Sequence, residues 1–176
     1  SFVAIMDCHV GYTCKDGIWY NATHGIEERI VVAGGGFYDD NSNNTTGHTG
    51  SKIVRISSRY LCPPGSEIKR SVHDVHDGAA SLCVDCYSDI PAPTTGVDDS
   101  GIGFAIGVPP SSVSTPDTGT MWLNGCTVGP APETGGYGYA PWGDTDAAMY
   151  WQEMKPTDAQ VDGGVAGAKF IYSGDA

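Results

Sequence analysis

Short apolar runs set the rhythm of this chain. SFVAIM (1–6), GIWYN (17–21), EERIVVA (27–33), KIVRIS (52–57), GFAIGV (103–108), TMWL (120–123) and AKFIY (168–172) are each rich in β-branched or aromatic residues. Clusters of Gly, Pro, Asn and Asp separate them, as expected of strands joined by turns. In KIVRIS the apolar Ile53 and Val54 are adjacent, so strict alternation fails and this strand is expected to be covered on both faces. Twenty-five glycines and eleven prolines oppose long helices, because both residues interrupt them. The one helical pattern is DTDAAMYWQEM (144–154), in which Asp144 or Thr145 can cap and Ala148, Trp151 and Met154 share a face. Seven or more strands between turns predict a mainly β domain, a β-sandwich or jelly roll, with long loops and at most one short helix.

Composition narrows the class. A chain of 176 residues buries a sizeable core as one domain, so its six cysteines are not needed merely to hold a small fold together. Twenty-one acidic against nine basic residues give a net charge of −12, which repels a phosphate backbone and excludes nucleic acid as the expected partner. No apolar run approaches the roughly eighteen residues of a spanning helix, so no membrane insertion is expected. The chain starts at Ser1 without an initiator Met and reads as a processed product or a segment of something longer.

Two features place it outside the cell. The cysteine count is even, and Asn21-Ala22-Thr23, Asn43-Asn44-Thr45 and Asn44-Thr45-Thr46 are glycosylation sequons. The last two overlap in a polar stretch read as a glycan-bearing turn. PPSSVSTPDTGT (109–120) has the Ser, Thr and Pro mixture of an exposed segment. In an oxidising compartment thiols end as disulfides, so Cys8, Cys14, Cys62, Cys83, Cys86 and Cys126 are all expected to be bonded. No cofactor is implied. Calcium is the one candidate ion: Asp39, Asn41 and Asn43 follow the start of an oxygen-ligand loop, but Asn44 and Gly50 stand where the turn glycine and bidentate Glu belong. Asp144, Asp146 and Asp162 are alternative carboxylates.

SVHDVHDGAASLCVDCYSD (71–89) places two histidines and two cysteines in the spacing H-x2-H-x6-C-x2-C. His73, His76, Cys83 and Cys86 are the right ligand types for zinc, but the histidines sit three apart among Asp and Gly, the pattern of a solvated loop. A redox dithiol needs its C-x-x-C at a helix start, and YSDIPAPTTG cannot continue a helix. Taken from Tyr60, the stretch YLCPPGSEIKRSVHDVHDGAASLCVDCYSDIPAPTTG resembles the cysteine-rich repeat of ephrin-receptor-like and tumour-necrosis-receptor-like extracellular modules. Cys62, Pro64, Gly65, Ser66, Cys83, Cys86, Tyr87, Ser88, Asp89, Thr95 and Gly96 carry the likeness. The next cysteine, Cys126, comes later than that family places it, so residues 60–96 are expected as a cysteine-rich loop inserted into a single domain spanning 1–176. The resemblance implies a Cys62–Cys83 bridge. Cys8–Cys14 around HVGYT and Cys86–Cys126 are compatible with it, and other pairings stay open. RIVVAGGGFYDD is similar to the strand-then-glycine segments of extracellular glycine-rich domains.

Catalytic chemistry finds no anchor. G-x-S-x-G, H-E-x-x-H and P-loop motifs are missing from the sequence, and the neighbours Glu27 and Glu28 would point to opposite faces of a strand. GGYGYAPWGD (135–144) presents Tyr137, Tyr139 and Trp142 among glycines, which suits contact with protein or sugar as well as core packing. For Trp19, Trp122 and Trp151, core packing is expected. The sequence therefore reads as a non-catalytic structural subunit or tandem repeat of an extracellular or cell-surface filament, sheath or matrix, glycosylated and polymerising with copies of itself. Its terminal strands, Ser1–Met6 and Lys169–Tyr172, are the expected edges for that polymerisation. The alternatives are a lectin-like adhesion module and, behind it, a secreted hydrolase.

Overall fold

The strands pair in parallel with strands one coil away and, the last two apart, never with the strand next in sequence. The computed structural model describes residues 1–11, 13, 15–33, 42–74, 78–94, 100–107, 119–142, 148–152, 156–157, 160–161 and 169–172. The first sheet has seven strands in the order β1 (Phe2–Met6), β4 (His24–Glu28), β7 (Lys52–Ile56), β10 (Ala80–Val84), β13 (Thr120–Asn124), β16 (Ala148–Gln152) and β17 (Lys169–Tyr172). The second runs β2 (His9–Gly11), β5 (Val31–Ala33), β8 (Arg59–Leu61), β11 (Tyr87–Ser88) and β14 (Thr127–Val128). The third runs β3 (Ile18–Asn21), β6 (Ser42–His48), β9 (Ile68–Asp74), β12 (Ile102–Ile106) and β15 (Tyr137–Pro141). The chain visits the three sheets in turn and then returns to the first, one strand further along. All pairings within the sheets are parallel. This is a three-sided parallel β-helix. A parallel bridge from Tyr139 to Val161 carries the third side one coil further.

The mainly β expectation holds, but a coil stands in place of the sandwich or jelly roll. Those folds join neighbouring strands by antiparallel hairpins, whereas here every hydrogen-bonding partner lies a full coil away. Residues 60–96 are not an inserted loop: they supply the end of β8 and all of β9, β10 and β11, one strand or more to each sheet. The predicted helix is likewise a strand. Ala148–Gln152 pairs with β13 on one side and β17 on the other, and its core residues Met149 and Trp151 alternate with Tyr150 at the period of two that a strand demands. Pairing on both flanks overrides the local helical pattern.

The turn from the first sheet to the second explains why the coils stack in register. It is made at Asp7, Arg29, Ser57, Asp85 and Gly125, all with φ between 48° and 61°. One left-handed residue swings the strand through the corner, and the next (Cys8, Ile30, Ser58, Cys86, Cys126) begins the following side. Asp and Gly suit that conformation, while Arg29 and Ser57 adopt it at some cost. Backbone bonds tie adjacent corners together, from Asp7 N to Glu28 O, Arg29 N to Ile56 O, Ser57 N to Val84 O and Asp85 N to Asn124 O, at 2.9–3.1 Å. The run EERIVVA is therefore two strands, broken at Arg29.

Alternation then decides what lies inside. Two inward columns run down the first sheet: Gly25, Ile53, Ser81, Met121 and Met149, and beside them Glu27, Arg55, Cys83, Leu123 and Trp151. The interior changes character along the axis. Its later coils are filled by Phe104, Ile106, Met121, Leu123, Tyr139, Met149 and Trp151. Its second and third coils also hold charge.

Candidate functional site

Glu27, Arg55 and Asp74 are each completely buried, and they meet across the lumen. Arg55 on β7 donates from Nη1 to Asp74 Oδ2 at 3.0 Å and from Nη2 to Asp74 Oδ1 at 2.9 Å, a two-pronged pairing with β9 on the third side. Its Nε stands 3.6 Å from Glu27 Oε2. The Glu27 carboxylate also accepts from the Thr45 hydroxyl at 2.7 Å and the Tyr60 hydroxyl at 2.5 Å. The Ser81 hydroxyl donates to Asp74. One guanidinium and two carboxylates thus join three successive coils and all three sheets. Burial works against the charge on Arg55, but the attraction of Asp74 and Glu27 prevails and holds its pKa well above the ordinary value. Burial, reinforced by Glu27, pushes the Tyr60 phenol up. Such a cluster fixes register, since slipping one coil would strand a charge in the lumen. Its members are closed to solvent, so they are out of reach of a substrate. As expected, Glu27 and Glu28 face opposite sides, and only Glu27 enters the lumen.

The outward face of the same sheet is the reverse. Register aligns Ala4, Ile26, Val54, Leu82, Trp122 and Tyr150 in one exposed column, flanked by Met6, Glu28, Ile56, Val84, Asn124 and Gln152 on one side and Phe2, His24, Lys52, Ala80 and Thr120 on the other. Leu82 is 40% exposed, Trp122 44%, Met6 48% and Phe2 63%. A shallow trough of about 360 Å³ runs between Phe2 and Trp122, floored by Ile26, Val54 and Ala80. At its end the Trp122 and Tyr150 rings stack, centroids 5.4 Å apart and planes 9° from parallel, so each covers one face of the other. Glu28 is the only acid among the strand residues turned outward here, and it is engaged by Arg29.

The residues singled out from sequence are distributed as follows. Tyr137 is exposed, whereas Tyr139 and Trp142 are buried; Tyr139 stacks on Phe104 at 5.9 Å and meets Trp151 edge-on at 5.6 Å. GGYGYAPWGD is thus mostly the inward-packed strand β15, and it presents no row of rings. Trp151 is buried as expected, but Trp19 and Trp122 are on the surface. Two of the three sequon asparagines lie inside. Asn43 and Asn44 sit in β6, buried between β3 and β9, where Asn44 Nδ2 donates to Leu61 O at 3.0 Å; Asn21 alone is exposed. His73, expected on a loop, is buried in β9 with Nε2 against Gly107 O. It lies on the third side, away from Cys83 and Cys86. The calcium candidates Asp39, Asn41, Asp144, Asp146 and Asp162, together with His76 and Cys14, fall outside the described residues. Among the described residues, no group of three or more His, Cys, Asp or Glu side chains is arranged to hold a metal.

The described cysteines, Cys8, Cys62, Cys83, Cys86 and Cys126, are all unbonded. Cys62 and Cys83, the pair implied by the resemblance, sit at different places in the coil, one after β8 and the other within β10. Cys62 follows β8 and lies 3.2 Å from the Ser71 hydroxyl, and burial raises its thiol to about 12. Cys83 points into the lumen from the first sheet, its pKa driven up by burial despite the nearby Arg55. No protein-family model matches the chain, and neither a curated protein nor a solved structure was found to resemble it.

Proposed function

We propose that this chain is a non-catalytic structural module of an extracellular assembly, packed sideways against copies of itself through the outward face of its first sheet. The observation that carries the proposal is an inversion: a charged cluster is enclosed in the lumen while aliphatic and aromatic side chains on the first sheet face water. A contiguous apolar patch on a rigid sheet is the usual mark of a surface meant to be covered. Its charge fits a second copy as the cover. The chain carries −12 overall, yet the strand residues on this face include one acid beside Lys52 and His24, so two such faces meet without the repulsion that other approaches incur.

Size argues for a polymer over an isolated dimer. Seven strands of about five residues span roughly 500 Å² in projection, below the roughly 800 Å² per partner of a standard stable complex. One contact is weak, and many in series are strong. The edge strands β1 and β17 are available for axial stacking within such an assembly, and Asn21 for a glycan. The lectin reading is less favoured, because the mutual stacking of Trp122 and Tyr150 withholds ring faces from a sugar. Sedimentation of the wild type over a concentration series, beside Leu82→Ser/Trp122→Ser and the control Trp19→Ser, tests the proposal. Association is expected in the wild type and the control and lost in the double variant. A wild type that stays monomeric at the highest concentration while binding a glycan array through Trp122 would instead establish the lectin.

A further inference from the structure

Cys86 and Cys126 hold the same place in successive coils. Each follows the left-handed corner residue (Asp85, Gly125) and precedes the first residue of a second-sheet strand, and those strands pair Tyr87 with Thr127. Thr127 N donates to Cys86 O at 2.9 Å, and Asp85 N to Asn124 O at 2.9 Å, so the backbone is clamped on both sides of the sulfurs. Parallel neighbours in register are about 5 Å apart, inside the range of roughly 4.4–6.8 Å between α-carbons that a disulfide spans. Both residues are buried, the Cys86 thiol against Val84 O at 3.4 Å and the Cys126 thiol against Cys83 O at 3.3 Å.

We propose that Cys86 and Cys126 form a disulfide inside the coil, stapling the fourth turn of the β-helix to the fifth. The ladder itself selects the pair. On its other side Cys86 stacks on Ser58, whose carbonyl accepts from Tyr87 N at 2.9 Å, so no second sulfur competes there. The flanking positions of Cys83 in its own column are Arg55 and Leu123. Cys62 is engaged with Ser71 at another corner.

The chemistry is thiol–disulfide exchange with a small-molecule disulfide such as oxidised glutathione. The Cys86 thiolate attacks one glutathione sulfur, forming a mixed disulfide and releasing one glutathione thiolate, which takes up the Cys86 proton. Cys126 then loses its proton to the second departing glutathione as its sulfur displaces it. Two protein thiols and one glutathione disulfide give one protein disulfide and two glutathiones. Exchange occurs while the corner is open, before β13 and β14 dock on β10 and β11. Afterwards the bond is shielded, and reductant reaches it only when the coil is unfolded. The assignment does not depend on the assembly proposed above.

The test is a disulfide map of the full chain refolded in a glutathione redox buffer, alkylated in denaturant without reduction and cleaved before Asp85, which separates Cys83 from Cys86. The Cys86 and Cys126 peptides are expected as one cross-linked species, taking up label only after reduction. In Cys126→Ser, Cys86 becomes alkylatable in denaturant. Label on Cys86 or Cys126 before reduction, or a cross-link from either to Cys83, would overturn the proposal; the wild-type map decides even where the variant fails to fold.

Discussion

Two outer surfaces of one coil meet water differently. On the third sheet, β9 and β12 are buried at every position, and the outward residues Ala105 and Ala140 close up with Ile102 and Trp142 into a small cluster of their own. On the first sheet, equally regular strands leave Phe2, Leu82 and Trp122 exposed. Parallel sheets are ordinarily buried on both faces. One side of this molecule meets that condition from its own chain, and the other meets it on its inward face alone.

The sharpest way to break this comparison is to place the same charge on both faces. Ala140→Asp buries a carboxylate in a closed apolar cluster and is expected to lower stability by about 3–5 kcal/mol, whereas Val54→Asp on the open face costs less than about 1 kcal/mol. Urea unfolding of the two variants measures the difference. Equal losses would show the first sheet to be covered in the monomer.

The lumen gives the next effect. Arg55→Met leaves Glu27 and Asp74 facing each other uncompensated, with an expected loss of about 3 kcal/mol. Adding Glu27→Leu and Asp74→Leu recovers part of it, because removing a whole buried cluster costs less than breaking it. Failure of the triple variant to recover would mean the cluster is held by packing instead of charge.

Alkaline pH acts on the interior. Burial raises the phenols of Tyr20, Tyr60 and Tyr139 above the ordinary value of 10.0. A folded pKa above the unfolded one means stability that is present below pH about 10 and is lost as pH climbs toward the folded value. The unfolding midpoint should therefore fall above pH 10 in the wild type and less steeply in Tyr139→Phe. A parallel decline in the two would remove Tyr139 from the account.

The smallest effect belongs to the first corner, where Arg29 donates to both carboxylate oxygens of Asp7 at 2.7 and 2.8 Å in full exposure. The hydrogen bond from Arg29 holds Asp7 below the usual carboxylate range. Its contribution is present near neutral pH and disappears as pH falls through that lowered value. Asp7→Asn should shift the midpoint slightly at pH 7 and not at all in strong acid; an equal shift at both pH values would assign the effect to the left-handed backbone instead.

The strands of the first sheet were legible because their residues are apolar: SFVAIM, KIVRIS and TMWL coincide with β1, β7 and β13. The polar strands β6 and β9 were not. SNNTTGH and IKRSVHD carry the composition of loops, and only the lumen, where Thr45 and Asp74 find partners, allows them to be strands. The coil itself escaped notice for a related reason. AIMDCHVG, IEERIVVA, VRISSRYL, LCVDCYSD and WLNGCTVG superpose around their corner residues, yet those corners recur after 22, 28, 28 and 40 residues, so no fixed period marks the repeat. The open face was hidden because register between distant runs, not the content of any one run, brings Leu82 beside Trp122.

The left-handed corner also limits how this molecule can change. One residue wide at each of the five described positions, it leaves no slack where the first side meets the second, so differences in coil length are discharged at the other two corners. Segments can lengthen there, as between Asp85 and Gly125, while the rungs above and below keep their step. The tight corner is a spine, and variation accumulates on the side opposite it.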